Sequence, residues 1–165
     1  MKTFKHTFLL LAILMVNNTF AQTKEETVKY IDDILKISKG LFNDARAYRA
    51  KTYEIIEQRL YNIDHIETKS YGNFVRDGNP YRRSTGSNIE NVPWIAIKSL
   101  DLELSDTISN LTQVSIKFDV EFIDSGDNQS YSGLSLYVIS SKKENFVKAI
   151  KHLQKLLKKE DPFGN

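Results

Sequence analysis

Val114-Ser-Ile-Lys-Phe-Asp-Val-Glu-Phe122, the run VSIKFDVEF, alternates apolar and polar residues without a break. Wound as a helix, Val114, Ile116, Phe118, Val120 and Phe122 would scatter around the axis. As a strand they share one face. The reading is a strand with one buried side. Leu100, Leu102 and Leu104 alternate in the same way upstream. Downstream, after the turn-like DSGDN at 124–128, Leu134, Leu136 and Val138 do so again. Three half-buried strands joined by short polar links predict an antiparallel meander with one wet face.

That face needs a cover, and the next stretch offers one. Ser141-Lys-Lys-Glu144 has the form of a capping box, and a helix is predicted from there to about Lys159, stopped by Pro162. Phe146, Ile150, Leu153 and Leu157 fall on one stripe, while Lys148, Lys151, Lys155, Lys158 and Lys159 fall opposite. At the other end of the chain, Thr23-Lys-Glu-Glu26 is a second capping box. Val28, Ile31, Ile34 and Leu35 recur behind it at helical spacing up to Gly40. The predicted class is α+β: an antiparallel sheet with an N-terminal helix, and a C-terminal helix packed on the sheet.

Between these parts the pattern blurs. Residues 44–70 carry both a loose helical stripe (Ala45, Tyr48, Ile55, Ile56) and strand-like alternation at Tyr53/Ile55 and Tyr61/Ile63. Their wealth of Tyr, Ile and Thr leans toward strands. Residues 76–88, RDGNPYRRSTGSN, are dense in Gly, Asn, Pro and Ser and read as a loop. From Pro93-Trp94-Ile95 through LDLEL, VSIKFDV and LSLYVIS to the last helix, residues 92–159 resemble the end of a pleckstrin-homology-like domain. The resemblance implies a bent antiparallel sheet plugged by its C-terminal helix; it is one of element order, and the helix ahead of the first strands departs from it.

The chain opens MKTFKHTFLLLAILMVNNTFA. Lys2 and Lys5 precede an unbroken apolar run of nine residues, Phe8 to Val16; Asn17-Asn18 and Thr19-Phe20-Ala21 follow. That is the order of a secretory signal peptide, residues 1–21, cleaved between Ala21 and Gln22. The run is too short for a membrane span, which takes about 20 apolar residues. The Ala-Gln junction and the Asp-Pro-Phe ending resemble small exported proteins of Bacteroidota-type bacteria, which implies a Gram-negative envelope. With no cysteine in the chain there is no disulfide, no thiolate metal site and no lipid-bearing residue. The expected product is one domain, residues 22–165, soluble in the periplasm or secreted, and not a lipoprotein.

Charge narrows the partners. The full chain has 23 Lys+Arg against 21 Asp+Glu; the leader removes two lysines and no acid, so the mature chain is neutral. A basic footprint for nucleic acid is absent. Hydrophobic content of 41% over this length fits one core without staples. No Gly-x-Ser-x-Gly elbow and no Gly-rich phosphate loop occurs. His65, in IDHIE between Asp64 and Glu67, lacks a third ligand for a zinc site, and His152 belongs to the lysine-rich helix. Trp94 reads as a packing residue. Tripeptides at Asn110, Asn128 and Asp106 match glycosylation patterns that arise often by chance.

The one stretch with binding character is 76–88. Arg76, Arg82 and Arg83 are suited to grip an anion with amides near Gly86, and Tyr71, Phe74 and Tyr81 supply aromatic area. The plainer reading, a passive loop kept soluble by its arginines, is the commoner case. No catalytic residue, metal ligand or cofactor is expected. The leading function is an exported, non-catalytic binding or interaction module for a protein or small ligand, with no nucleic acid and no stable membrane insertion. The alternative is a small hydrolase-like envelope enzyme whose site forms only in three dimensions.

Overall fold

The computed structural model describes residues 23–44, 50–104 and 110–160. The expected leader, its expected Ala21–Gln22 junction, the Asp106 tripeptide and Pro162 lie outside them. Helix α1 (Lys24–Ile37) starts with the expected capping box: Thr23 Oγ1 accepts from the Glu26 N–H at 3.2 Å, and Glu26 Oε2 accepts from the Thr23 N–H at 3.0 Å. It ends just before Gly40, whose φ of +78° suits glycine. Helix α2 (Lys143–Glu160) departs from expectation at its start. A 3-10 turn over Ser140–Lys142 runs straight into it, so Ser141 sits inside the helical run rather than at its cap.

Among the described residues, seven antiparallel strands lie between the helices: β1 (Phe42–Asp44), β2 (Ala50–Leu60), β3 (Ile66–Arg76), β4 (Asn79–Ile89), β5 (Ile97–Leu104), β6 (Leu111–Asp124) and β7 (Gln129–Ile139). Strand β6 is the hub. It carries β5 on one side and β7 on the other, and its last residue, Asp124, meets Ile89 of β4. The path β1-β2-β3-β4-β6-β5 curls so far that β2 returns toward β7. Gln58 of β2, buried, spans the gap: its Nε2 donates to the Tyr137 carbonyl at 2.7 Å and its Oε1 accepts from the Tyr137 N–H at 2.8 Å. The same amide donates to Ser38 Oγ at the end of α1.

The α+β architecture follows the alternation. Val114, Ile116, Phe118, Leu136 and Val138 are buried, and they pack with Ile31 and Leu35 of α1 and Phe146, Ile150 and Leu153 of α2. Leu153 is fully buried. Trp94 is a core residue, its indole N–H donating to the Ile63 carbonyl and its ring edge-on to Phe118. The five α2 lysines named above are exposed. Within residues 44–70 the described residues form strands up to Leu60 and again from Ile66, but 61–65 are a bend joining β2 to β3, so the alternation at Tyr61/Ile63 does not mark a strand.

Three expectations need correction. Residues 76–88 are not a loop: Asp77 (φ +50°) and Gly78 (φ +80°) make a two-residue turn, and β4 pairs with β3 in unbroken register from Arg76↔Asn79 to Ile66↔Ile89. Two positive φ values in a row define the type I′ hairpin turn that Asp-Gly favours; the dense polar residues are those of an exposed strand. Val120 is 46% exposed because the β6–β7 register shifts between Lys117 and Phe122, which breaks the alternation. Leu102 is 43% exposed because β5 is an edge strand.

Candidate functional site

Two features stand out: an arm and a cleft. The arm is the outer part of the β3–β4 hairpin, where Asn79 through Gly86 are all exposed. It divides the four predicted binding residues between its faces. Tyr81 and Arg83 lie on one side with Phe74, whose ring stacks on Tyr81 at 5.2 Å and 18°. Arg82 lies on the other, held by the Glu54 carboxylate and seated 4.7 Å over the Tyr71 ring. Arg76, at the tip, approaches Asp77 at 3.9 Å, with both side chains almost fully exposed. Arg83 has no partner among the described residues. The arginines therefore do not converge on one anion. They line two faces of a ribbon.

Nor does Gly86 offer a loop of free amides. It pairs with Lys69, and a Cβ there would collide with the Thr68 carbonyl oxygen. Its role is to let two strands approach closely. The arm also leaves an edge open. Asn88 N–H donates to Asp124 Oδ1, and the Asn88 carbonyl accepts from the Ser125 N–H. By strand alternation, Arg82, Ser84 and Gly86 aim their backbone groups to that same outer side, where β4 has no strand partner before Ile89 among the described residues.

The cleft, about 500 Å³, opens between the first turns of α1 and the end of β2. Val28, Leu60 and Ile63 form its apolar floor, and Lys24, Lys29, Asp32 and Tyr61 are its notable polar groups. Three of its charges are held in ion pairs. Lys24 pairs with Glu160 at 2.5 Å, joining the start of α1 to the end of α2, and Lys29 pairs with Asp33 at 2.5 Å. Asp32, buried, takes Arg59 Nε at 2.8 Å, Lys36 Nζ at 2.6 Å and the Leu60 N–H at 3.1 Å. Arg59 in turn lies 4.7 Å over the Tyr61 ring.

These contacts push every titrating group in the cleft away from neutrality. Burial opposes ionisation of Asp32, but Arg59, Lys36 and the Leu60 N–H outweigh it and hold the carboxyl below its ordinary range. Backbone hydrogen bonding and the Thr23 hydroxyl lower Glu25. Glu160 raises Lys24, and Asp33 raises Lys29. Burial, aided by Glu67, raises the Tyr61 phenol. A proton-transfer site at neutral pH needs the opposite displacement.

The histidines do not enter either feature as ligands. His65 pairs through Nε2 with Asn88 Oδ1 at 2.8 Å and leans on the Tyr61 ring at 5.2 Å, a structural role; His152 sits on α2. Among the described residues no group of three His, Cys, Asp or Glu is placed to hold a metal. No helix among them is long and apolar enough to cross a membrane. Sequence reasoning missed the Asp32–Arg59 anchor and the cleft above it, because residues 27 apart carry no local signal of their meeting. No family model, curated protein or solved structure matches the chain.

Proposed function

We propose that the protein is an exported, non-catalytic interaction module whose contact surface is the β3–β4 arm. One observation carries this: a regular hairpin presents an open backbone edge, a stacked pair in which Tyr81 is exposed and Phe74 half-buried, and an Arg83 with no side-chain partner among the described residues. Aromatic and Arg side chains on an exposed, ordered element are the composition of a contact surface. The cleft supports the non-catalytic side of the reading, since Lys24, Lys29 and Asp32 are fixed in ion pairs and each is shifted further from neutrality. A curled antiparallel sheet with a helix across it, the plan of pleckstrin-homology-like domains, is compatible with a binding scaffold and carries no residue assignment. Export rests on the leader at residues 1–21.

Native mass spectrometry of the protein recovered from its own source tests both parts. The expected mass is that of a chain starting at Gln22, carrying a partner that is lost when Tyr81→Ser and Arg83→Ser are combined. A chain that keeps Met1 overturns export. A partner retained by the double variant overturns the arm.

A further inference from the structure

The free edge of β4 has a chemical match on the same molecule. Strand β5 is also an edge: it pairs with β6 and with no other strand among the described residues. Tyr137 turns its backbone groups outward to Gln58, so its neighbour Gln113 turns its own toward β5, opposite Glu103. Leu100, Leu102 and Leu104 must then direct their N–H and C=O groups away from the sheet. Both edges thus offer outward backbone groups at every second residue: Arg82 and Ser84 on β4, before the Gly126 turn comes up beside the Gly86 carbonyl, and the three leucines on β5.

Their charges are opposite. From Asn79 to Ile89 the only charged residues of β4 are Arg82 and Arg83; the outer half of β5 carries Asp101 and Glu103, both exposed. Two β4 edges would bring arginine against arginine, and two β5 edges acid against acid, each unfavourable across a strand pair. A β4 edge against a β5 edge is favourable. The antiparallel register that sets Arg82 beside Leu102 places Arg83 opposite Asp101 and Tyr81 opposite Glu103. It also covers Leu102, 43% exposed in the single chain. Asp101 now accepts from Lys117 at 3.4 Å with both side chains about half exposed, an ion pair loose enough to share.

We propose that the protein associates with itself by strand addition, the β4 edge of one copy receiving the β5 edge of a second. This rests on the arm being the contact surface and identifies the partner as the same chain. The two edges differ, so the contact either closes reciprocally into a pair or runs on into an open chain; each gives species larger than one copy.

Sedimentation velocity over a concentration series on the protein from its own source reads this directly. The wild type is expected to sediment faster as concentration rises. Arg83→Glu and Asp101→Arg should each weaken association at least about tenfold. The variant carrying both changes should regain it, because the pair is then reversed rather than broken. Circular dichroism on each variant checks that the fold persists. A wild type that stays a single copy at every concentration overturns the proposal, as does association indifferent to both single changes. Neither result touches the arm as a surface for a different partner, which the loss of a bound partner from the Tyr81/Arg83 variant tests independently.

Discussion

Replacing Asp32 by Ala should be among the most damaging changes available on α1, although no apolar contact is lost. The carboxylate sits on a buried helical residue and joins α1 to β2 through the Arg59 guanidinium and the Leu60 N–H. Removal leaves that N–H, on a residue 1% exposed, without a partner, which costs about 1–3 kcal/mol. It also strips the Arg59 counter-charge. A fully buried pair broken on one side costs about 3–5 kcal/mol, but the Arg59 side chain is 28% exposed and water can replace part of what it loses. The expected total is about 2–4 kcal/mol. Asp32→Asn keeps an oxygen for the Leu60 N–H and should lose less, about 1–2 kcal/mol. Urea unfolding followed by circular dichroism measures both. The pH dependence sharpens the test. The folded carboxyl lies below its unfolded value of about 3.9, so its stabilisation is complete above that value and fades as pH falls through the folded pKa. The gap between wild type and Asp32→Asn should therefore be constant near neutrality and close in acid. A gap that does not narrow in acid, or an alanine variant as stable as wild type, refutes the anchor.

Three further outcomes are expected. Leu153→Ala, at a fully buried site between α2 and the sheet, should cost about 2–5 kcal/mol in the same assay. Gly86→Ala must push β4 off the Thr68 carbonyl; the cost is about 1–3 kcal/mol, with amide exchange quickened along the arm rather than in the core. Changing Lys148, Lys151 and Lys155 together to Gln should leave binding to anionic vesicles at physiological salt unchanged and weak. The apolar stripe of α2 is occupied by the core, and what remains is charge worth at most about 1 kcal/mol per lysine. Tight vesicle binding abolished by those changes in a co-sedimentation assay would make α2 a membrane reader.

The parts of the fold legible in the sequence are those where one period dominates. Val114, Ile116 and Phe118 follow period 2 and are buried as expected, and α2 follows its stripe from Phe146 to Leu153. Legibility fails where the environment on either side of a strand stops alternating. Val120 belongs to the apolar set by sequence, but the shifted register leaves it in water. The arm was obscured for a related reason. Exposed on nearly every residue of its outer strand, it has no buried face to impose a pattern, and Asp77-Gly78 is its one local signature. Of the candidate site, the residue types at Arg76, Tyr81, Arg82 and Arg83 were visible, while their division between two faces depends on the register with β3. The cleft was invisible, being assembled from α1 and the β2–β3 corner.

Gln58 gives the curled sheet an unusual kind of seam. Where a closed barrel would zip its first and last strands with a ladder of main-chain bonds, the described residues here show a rung supplied by a side chain. A ladder opens only by separating strands, whereas a rung made of one amide opens by a rotamer change. The Tyr137 N–H, although in the middle of a strand, is therefore guarded by a latch rather than a wall. The curvature of the whole sheet can breathe at that point while every strand pair stays intact.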